Sequence, residues 1–276
     1  MNLQPDLSCG DHMRAVVAQL PASEDSDDKA FLTPNAVVLL DGASAFRPVP
    51  VPPATYASQL GANLRDQLLA EPSGDLRTML GRAIKETAAG LELVPGRSPS
   101  STVTIARETG GWVDVLALGD SVAVLPNEVI TDDRMDALDL EPRRTYRERL
   151  SAGGGFDDRH REILRSLQTE QAARRNREGG YWIAEASEKA AQHALIERRR
   201  VDEVPWLVLA TDGAYDPMKH LGLNDWPQVS AMDTDSLHGL LVQCQAWESG
   251  VDPSGEALPR AKRHDDKSLV AVLPGA

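Results

Sequence analysis

The chain has 276 residues, 41% of them hydrophobic, and a formal charge of −13 at pH 7, which allows one large domain over 1–276 with a sizeable core and argues against general nucleic-acid binding. The opening MNLQPDLSCGD lacks a basic-then-apolar export signal, and AVVLL and WLVLA are far shorter than the ~20 residues that cross a bilayer, so a soluble cytoplasmic protein with no membrane partner is expected. Cys9 and Cys244 lie far apart without metal-ligand spacing, which argues against a disulfide framework or a zinc-thiolate site.

In chain order, Ala36–Leu40 is apolar throughout and stops at Asp41-Gly42, the pattern of a buried strand ended by a turn. A Pro-rich link follows, then two amphipathic helices, one with Tyr56, Leu60, Leu64 and Leu68 on one face and one with Leu76, Leu80, Ala83, Ile84 and Thr87. Residues 102–106 are expected to pair with 112–118 across a turn at 108–111, and a second hairpin through Gly119-Asp120 to lead into 122–125, giving an antiparallel meander. From about 133 to 200 long aliphatics are few and charges many, and between Glu141 and Arg200 basic residues outnumber acidic ones by 14 to 10. Helical runs near 159–176 and 187–200 make this stretch a charged helical excursion from the sheet core. The strand pattern resumes at 206–210 and stops at Asp212-Gly213; a last helix turns Leu237, Leu240, Leu241 and Cys244 inward, and a terminal strand over 268–273 follows Asp265-Asp266. This order predicts an α+β sandwich with helices packed outside antiparallel sheets.

A single acid at a strand end usually marks only the start of a turn. Here Asp41, Asp120, Asp212 and Asp265 all stand at the edge of a hydrophobic strand, and pairing those strands would bring their ends together. Carboxylates so gathered repel one another unless cations lie among them. Oxygen ligands without His or Cys select hard ions, Mg²⁺, Mn²⁺ or Ca²⁺, and no EF-hand loop is present. Two such ions sharing a water are suited to phosphoryl hydrolysis, and the glycine after Asp41 lets a backbone carbonyl approach an ion closely.

Five segments, VVLLDGAS, SPSSTVTIA, LALGDSVAVL, WLVLATDGAYD and HDDKSLVAV, occur in the order of the motifs of the protein phosphatase 2C family, and the chain resembles that family in an actinobacterial-like form. The resemblance implies a four-layer αββα sandwich of two antiparallel sheets flanked by helices, with a flap in the 133–200 excursion. It implies hydrolysis of phosphoserine and phosphothreonine in protein substrates by a water held between two Mn²⁺ or Mg²⁺ ions. Asp41 would bridge the ions, the Gly42 carbonyl would bind the second, Asp212 and Asp265 would complete the first, and Asp120 with Asp212 would hold a weaker third. Asp265 matches the family ligand better than Asp266. Asp27 and Asp28 align with second-sphere acids, with Glu24-Asp25 as the rival placement.

The chain departs from the family where phosphate is gripped and where the leaving group is protonated. The usual phosphate-binding arginine is replaced by Ser23, or by Leu20 in the rival frame, which leaves Arg14 and the arginines of the excursion as candidates. No histidine follows Asp41-Gly42, and His264 is the alternative proton donor. Ser44 and Ser121 lack the context of a nucleophile. The competing readings are a pseudophosphatase used as a regulatory binding module and a phosphatase for small phosphate esters.

Overall fold

The computed structural model describes residues 13–275, so Cys9 lies outside the described residues. In chain order the elements are β1 (Arg14–Leu20), β2 (Lys29–Leu32), β3 (Ala36–Leu40), α1 (Pro53–Ala70), α2 (Leu76–Gly90), β4 (Val103–Thr109), β5 (Trp112–Leu118), β6 (Val122–Leu125) and β7 (Glu128–Ile130). Then come α3 (Glu141–Ser151), α4 (Asp158–Arg174), β8 (Leu195–Arg200), β9 (Leu207–Ala210), α5 (Asp212–His220), α6 (Trp226–Ser230), α7 (Thr234–Gly250) and β10 (Lys267–Leu273). The strands form two antiparallel five-stranded sheets, β1-β10-β9-β6-β7 and β2-β3-β4-β5-β8.

Alternation along the strands explains the layering. In β3, Val37 and Leu39 point into the layer between the sheets with Leu207, Leu209, Val270 and Val272, while Val38 and Leu40 point outward. The outward face is covered by α1 and α2, whose Tyr56, Leu60, Leu64, Met79 and Ile84 are wholly buried. On the far side, Leu237, Leu241 and Cys244 of α7 and Met218 of α5 cover Val208, Ala210 and Leu269. Because β3 is buried on both faces it reads as an unbroken apolar run. The result is a four-layer αββα sandwich, an α+β fold. No helix among the described residues is long and apolar enough to cross a membrane.

Three expectations are corrected. The turn joining β4 to β5 is tighter than expected, since Glu108 and Thr109 already pair with Val113 and Trp112. The meander does not continue, because β6 pairs with β7 and β9 and not with β5. The chain instead crosses from one sheet to the other at Gly119–Asp120–Ser121, where Gly119 has φ +93° and a Cβ would stand 2.8 Å from the Thr102 side chain. An L side chain is disfavoured at that φ, so the glycine that looked like a hairpin signal marks a change of sheet. Finally, residues 187–200 are not one helix: a 3₁₀ turn over Glu188–His193 leads into β8, which pairs along the free edge of β5. The Arg and Glu side chains of β8 charge this outer edge. The helical excursion therefore reduces to α3 and α4, which share a small core of Leu140, Tyr146, Leu150, Ile163, Leu164 and Leu167.

Candidate active site

Asp41 follows β3, Asp120 lies in the crossing from β5 to β6, Asp212 opens α5 directly after β9, and Asp265 stands just before β10. The antiparallel registers place all these strand ends at one edge of the sandwich. There the four aspartates line a cavity of ≈ 170 Å³, with Leu164, Leu167, Gln168 and Gln171 of α4 on its other side. A second cavity of ≈ 320 Å³ shares Asp120, Asp212 and Asp265 and extends towards Asp136, Asp216, Arg143 and Arg147.

The backbone of Asp41 is fixed from three directions. Its carbonyl accepts from the Thr102 N–H and the Ser101 hydroxyl, each at 2.9 Å. Its own N–H donates to Thr102 Oγ1 at 3.1 Å. The same Thr102 hydroxyl bonds the Ser121 hydroxyl at 2.7 Å, so one side chain ties the Asp41 turn to the residue after Asp120. Ser121 is fully buried in this contact, which leaves it unsuited to attack a substrate. At Gly42 a Cβ would lie 2.7 Å from the Asp27 carbonyl oxygen, so the packing of the amino-terminal loop against this turn demands glycine.

Behind the cleft, buried Asp28 accepts through Oδ2 from the Thr211 hydroxyl at 2.9 Å and the Ser268 hydroxyl at 2.8 Å, joining the ends of β9 and β10. Asp27 accepts the Ala54 N–H at 3.1 Å at the start of α1, and its N–H donates to Asp266 at 2.5 Å. Asp266 is thus turned to the 26–27 loop, whereas Asp265 lines the cleft. Asp265 Oδ1 receives the Lys262 ammonium at 2.6 Å, and its carbonyl receives the Lys267 ammonium at 2.9 Å. Lys267 is itself buried against Glu248 of α7 at 3.0 Å.

The structure does not bring Arg14 to this site. Arg14 pairs with Leu273 at the opposite end of β10, roughly 20 Å from Lys267 at strand spacing. His264 is also turned elsewhere, its Nδ1 lying 3.0 Å from Glu248 on α7.

Charge crowding shows in the titration of the cluster. Burial, then the charges of Asp28, Asp212, Asp265 and Asp120, push Asp41 well above the ordinary carboxylate range. Asp120 is raised to about 8 by burial and by Asp212 and Asp136. Asp28 is raised to about 8 by burial, against the pull of its two hydroxyl donors. Asp212 rises to about 6 through burial and Asp265, moderated by a hydrogen bond with Asp41; it keeps an exposed face towards the cleft. Burial disfavours the Lys262 charge, but Asp265, Asp41 and Asp266 outweigh it and hold that ammonium above the usual lysine range.

The donor set is oxygen only and carries more negative charge than its surroundings balance, which suits a hard divalent cation. Among the described residues no three His, Cys, Asp or Glu side chains stand already converged as a ligand set. Asp265 is engaged with Lys262 instead.

No family model matches the chain, and no curated protein matches it. Solved structures do. The catalytic domain of the serine/threonine phosphatase PstP, in complex with two manganese ions, aligns with 95% of this chain and 98% of its own at 16% identity and a TM-score of 0.54. PstP/Ppp of Mycobacterium tuberculosis aligns over 96% and 100% at 16% identity, TM-score 0.53. Stp1 of Staphylococcus aureus aligns over the whole of both chains at 14% identity, TM-score 0.56. The fold is the protein phosphatase 2C fold.

On this phosphatase 2C frame three residues beside the cleft, Lys262, Asp136 and Asp216, were not singled out by the sequence. Lys262 sits in a charged run, 260–266, where nothing distinguishes it from a solvated lysine. Arg175, one of the excursion arginines offered as phosphate-binding candidates, lines the aspartate cleft just past the end of α4. Asp216 falls one turn after Asp212 on α5, a spacing that places both on one helix face and could have signalled it. Asp136 carries no such signal, since the loop before α3 holds several acids.

Proposed function

We propose that this chain is a Mn²⁺- or Mg²⁺-dependent phosphatase that removes phosphate from phosphoserine and phosphothreonine in proteins, with 1–276 acting as one catalytic domain. The observation that supports this most is the gathering of Asp41, Asp120, Asp212 and Asp265 in one cleft of a phosphatase 2C fold. In this reading Asp41 would be shared by two ions, the Gly42 carbonyl would serve the second, Asp212 and Asp265 would serve the first, and Asp120 would join Asp212 at a third. Bound there, the ions supply charge neutralisation and the Lewis acidity that makes water a nucleophile at neutral pH.

The chain's own residues do the rest. The Ser101 and Thr102 bonds hold Asp41 in place before any ion arrives, so little reorganisation is spent on it. Asp212 sits in the first turn of α5, where the helix dipole favours its charge. Asp265 joins the set by exchanging its contact with Lys262. Asp27 and Asp28 brace the cleft from behind, Asp28 by joining β9 to β10. Arg175, whose two hydrogen bonds are long contacts to neutral oxygens, takes the place of Arg14 as the group that grips substrate phosphate, a task suited to a guanidinium fork. Helix α4 covers the cleft and limits access of bulk water.

The test is hydrolysis of p-nitrophenyl phosphate and a phosphothreonine peptide with Mn²⁺, with chelator, and by Asp212→Asn. Activity is expected only with metal, and the variant is expected to lose at least about tenfold, the lower range for disturbing a metal site. Metal-independent activity, or full activity in Asp212→Asn, would overturn the mechanism.

A further inference from the structure

Beside the aspartate cleft lies a larger groove of ≈ 550 Å³, within the usual range of ligand pockets. The two share Ala43, Ser100, Gln168 and Arg175 as lining residues, so the groove opens onto the cleft. Its walls come from the Pro-rich 47–50 link, the 92–100 loop and the end of α4.

Three arginines, Arg47, Arg97 and Arg175, face this groove, and Glu92 is the one acid among its lining residues. Several neighbouring arginines pair with acids: Arg143 with Asp136, Arg149 with Asp157, Arg174 with Glu170. Among the described residues no carboxylate pairs with any of the three groove arginines. Arg47 makes a 3.4 Å contact to the Thr169 hydroxyl, and Arg175 contacts the Tyr181 hydroxyl at 3.3 Å and the Ser98 carbonyl at 3.4 Å. The loop carrying Arg97 is held in place from within. The buried Glu185 carboxylate accepts the Gly96 N–H at 3.0 Å and the Ser98 hydroxyl at 2.7 Å, and Ser98 Oγ accepts the Ala186 N–H at 3.1 Å. Glu185 is thereby committed to the loop behind the groove.

In a chain of net charge −13, three guanidiniums around one groove, none paired with a carboxylate among the described residues, make an anion-recognition surface. We propose that this groove holds the substrate polypeptide next to its phosphorylated residue, seating an acidic side chain between Arg47 and Arg97 while Arg175, shared with the cleft, stays with the phosphoryl group over the aspartates. The proposal rests on the phosphatase reading and specifies its substrates: phosphoproteins whose dephosphorylation site is flanked by acidic residues.

Three phosphothreonine peptides of equal length, with Glu, Gln or Lys at the positions flanking the phosphothreonine, separate the two readings when assayed beside p-nitrophenyl phosphate. The wild type is expected to favour the Glu peptide over the Gln peptide by roughly fivefold in kcat/KM, carried by KM, as one or two partly exposed ion pairs allow. Arg47→Ala/Arg97→Ala is expected to abolish that preference and to leave p-nitrophenyl phosphate hydrolysis unchanged, since neither residue lines the aspartate cleft. Equal kcat/KM for the three peptides, or a preference that survives in the double variant, would overturn the groove proposal alone. If no substrate is hydrolysed, the phosphatase reading fails instead. Fluorescence anisotropy of the labelled Glu peptide then decides the groove: binding lost in the double variant supports it, and equal binding by both proteins refutes it.

Discussion

Lys262 illustrates how a single side chain balances a charged site. Its ammonium contacts Asp265 at 2.6 Å and feels Asp41 and Asp266, so the cleft carries an internal counter-charge that a divalent ion must compete with. Replacing it with a neutral residue removes that competitor. Lys262→Gln is expected to tighten Mn²⁺ binding by about tenfold, about 1.4 kcal/mol, in titration calorimetry of the metal-free protein. An unchanged dissociation constant would show that the lysine merely sits beside the site. At this scale the sequence revealed the acids because each stands at an end of an apolar strand, a pattern with a period and an end. The cations were illegible for the opposite reason. Arg175 could be named only as one of many excursion arginines, and Lys262 lies in a segment already rich in charge, where only tertiary packing separates a lysine beside a cleft from one facing water. Arg14 shows the converse error: its strand does belong beside β10, but antiparallel pairing with Leu273 puts it at the far end.

Among the elements, α3 and α4 stand apart from the sandwich, with a core built from their own faces and shared with Phe46 and Ala261 of the neighbouring loops. Leu150, fully buried in that core, is a means of loosening α3 and α4 alone. Leu150→Ala is expected to cost about 2–5 kcal/mol locally, seen as faster hydrogen exchange over 141–174 while β3, β4 and β9 keep their protection. Equal loss across both sheets would mean that these helices and the sandwich unfold as one. The long helices and buried strands were readable because their apolar periodicity is strong, as in α1 and α2. Segment 187–200 was misread since its Arg and Glu residues favour helix when considered locally. The unpaired edge of β5 supplies backbone hydrogen bonds that local propensity does not register. The 119–121 crossing was misread because a glycine that turns a hairpin and one that switches sheets look the same along the chain.

For the molecule as a whole, the aspartate cluster sets an unusual relation between pH and stability. Unfolded, these carboxyls titrate near pH 4; folded, Asp212 titrates at about 6, Asp28 and Asp120 at about 8, and Asp41 is raised as well. Between those limits the folded protein binds more protons than the unfolded chain. The contribution of these groups to stability is therefore fully present below about pH 4 and is lost as pH rises through their folded values. Without divalent ions, Tm measured by scanning calorimetry is expected to fall between about pH 5 and about pH 8 from this source. Added Mn²⁺ should raise Tm, and more at the higher pH, because the ion no longer competes with bound protons. A metal-free Tm that climbs across that interval would show the cluster to be ionised throughout.

The crossing at Gly119–Ser121 has a mechanical meaning. Since the chain passes from one sheet to the other at the very edge where the aspartates lie, and Thr102 bonds Ser121 across that seam, the two layers are riveted at their working end. At the opposite rim a second tie, from the Gly275 N–H to the Glu108 carboxylate at 2.7 Å, joins the end of β10 to β4 of the other sheet. The gap between Asp41 and Asp120 is thus set by bonds within the sandwich and not by the helical cover above it.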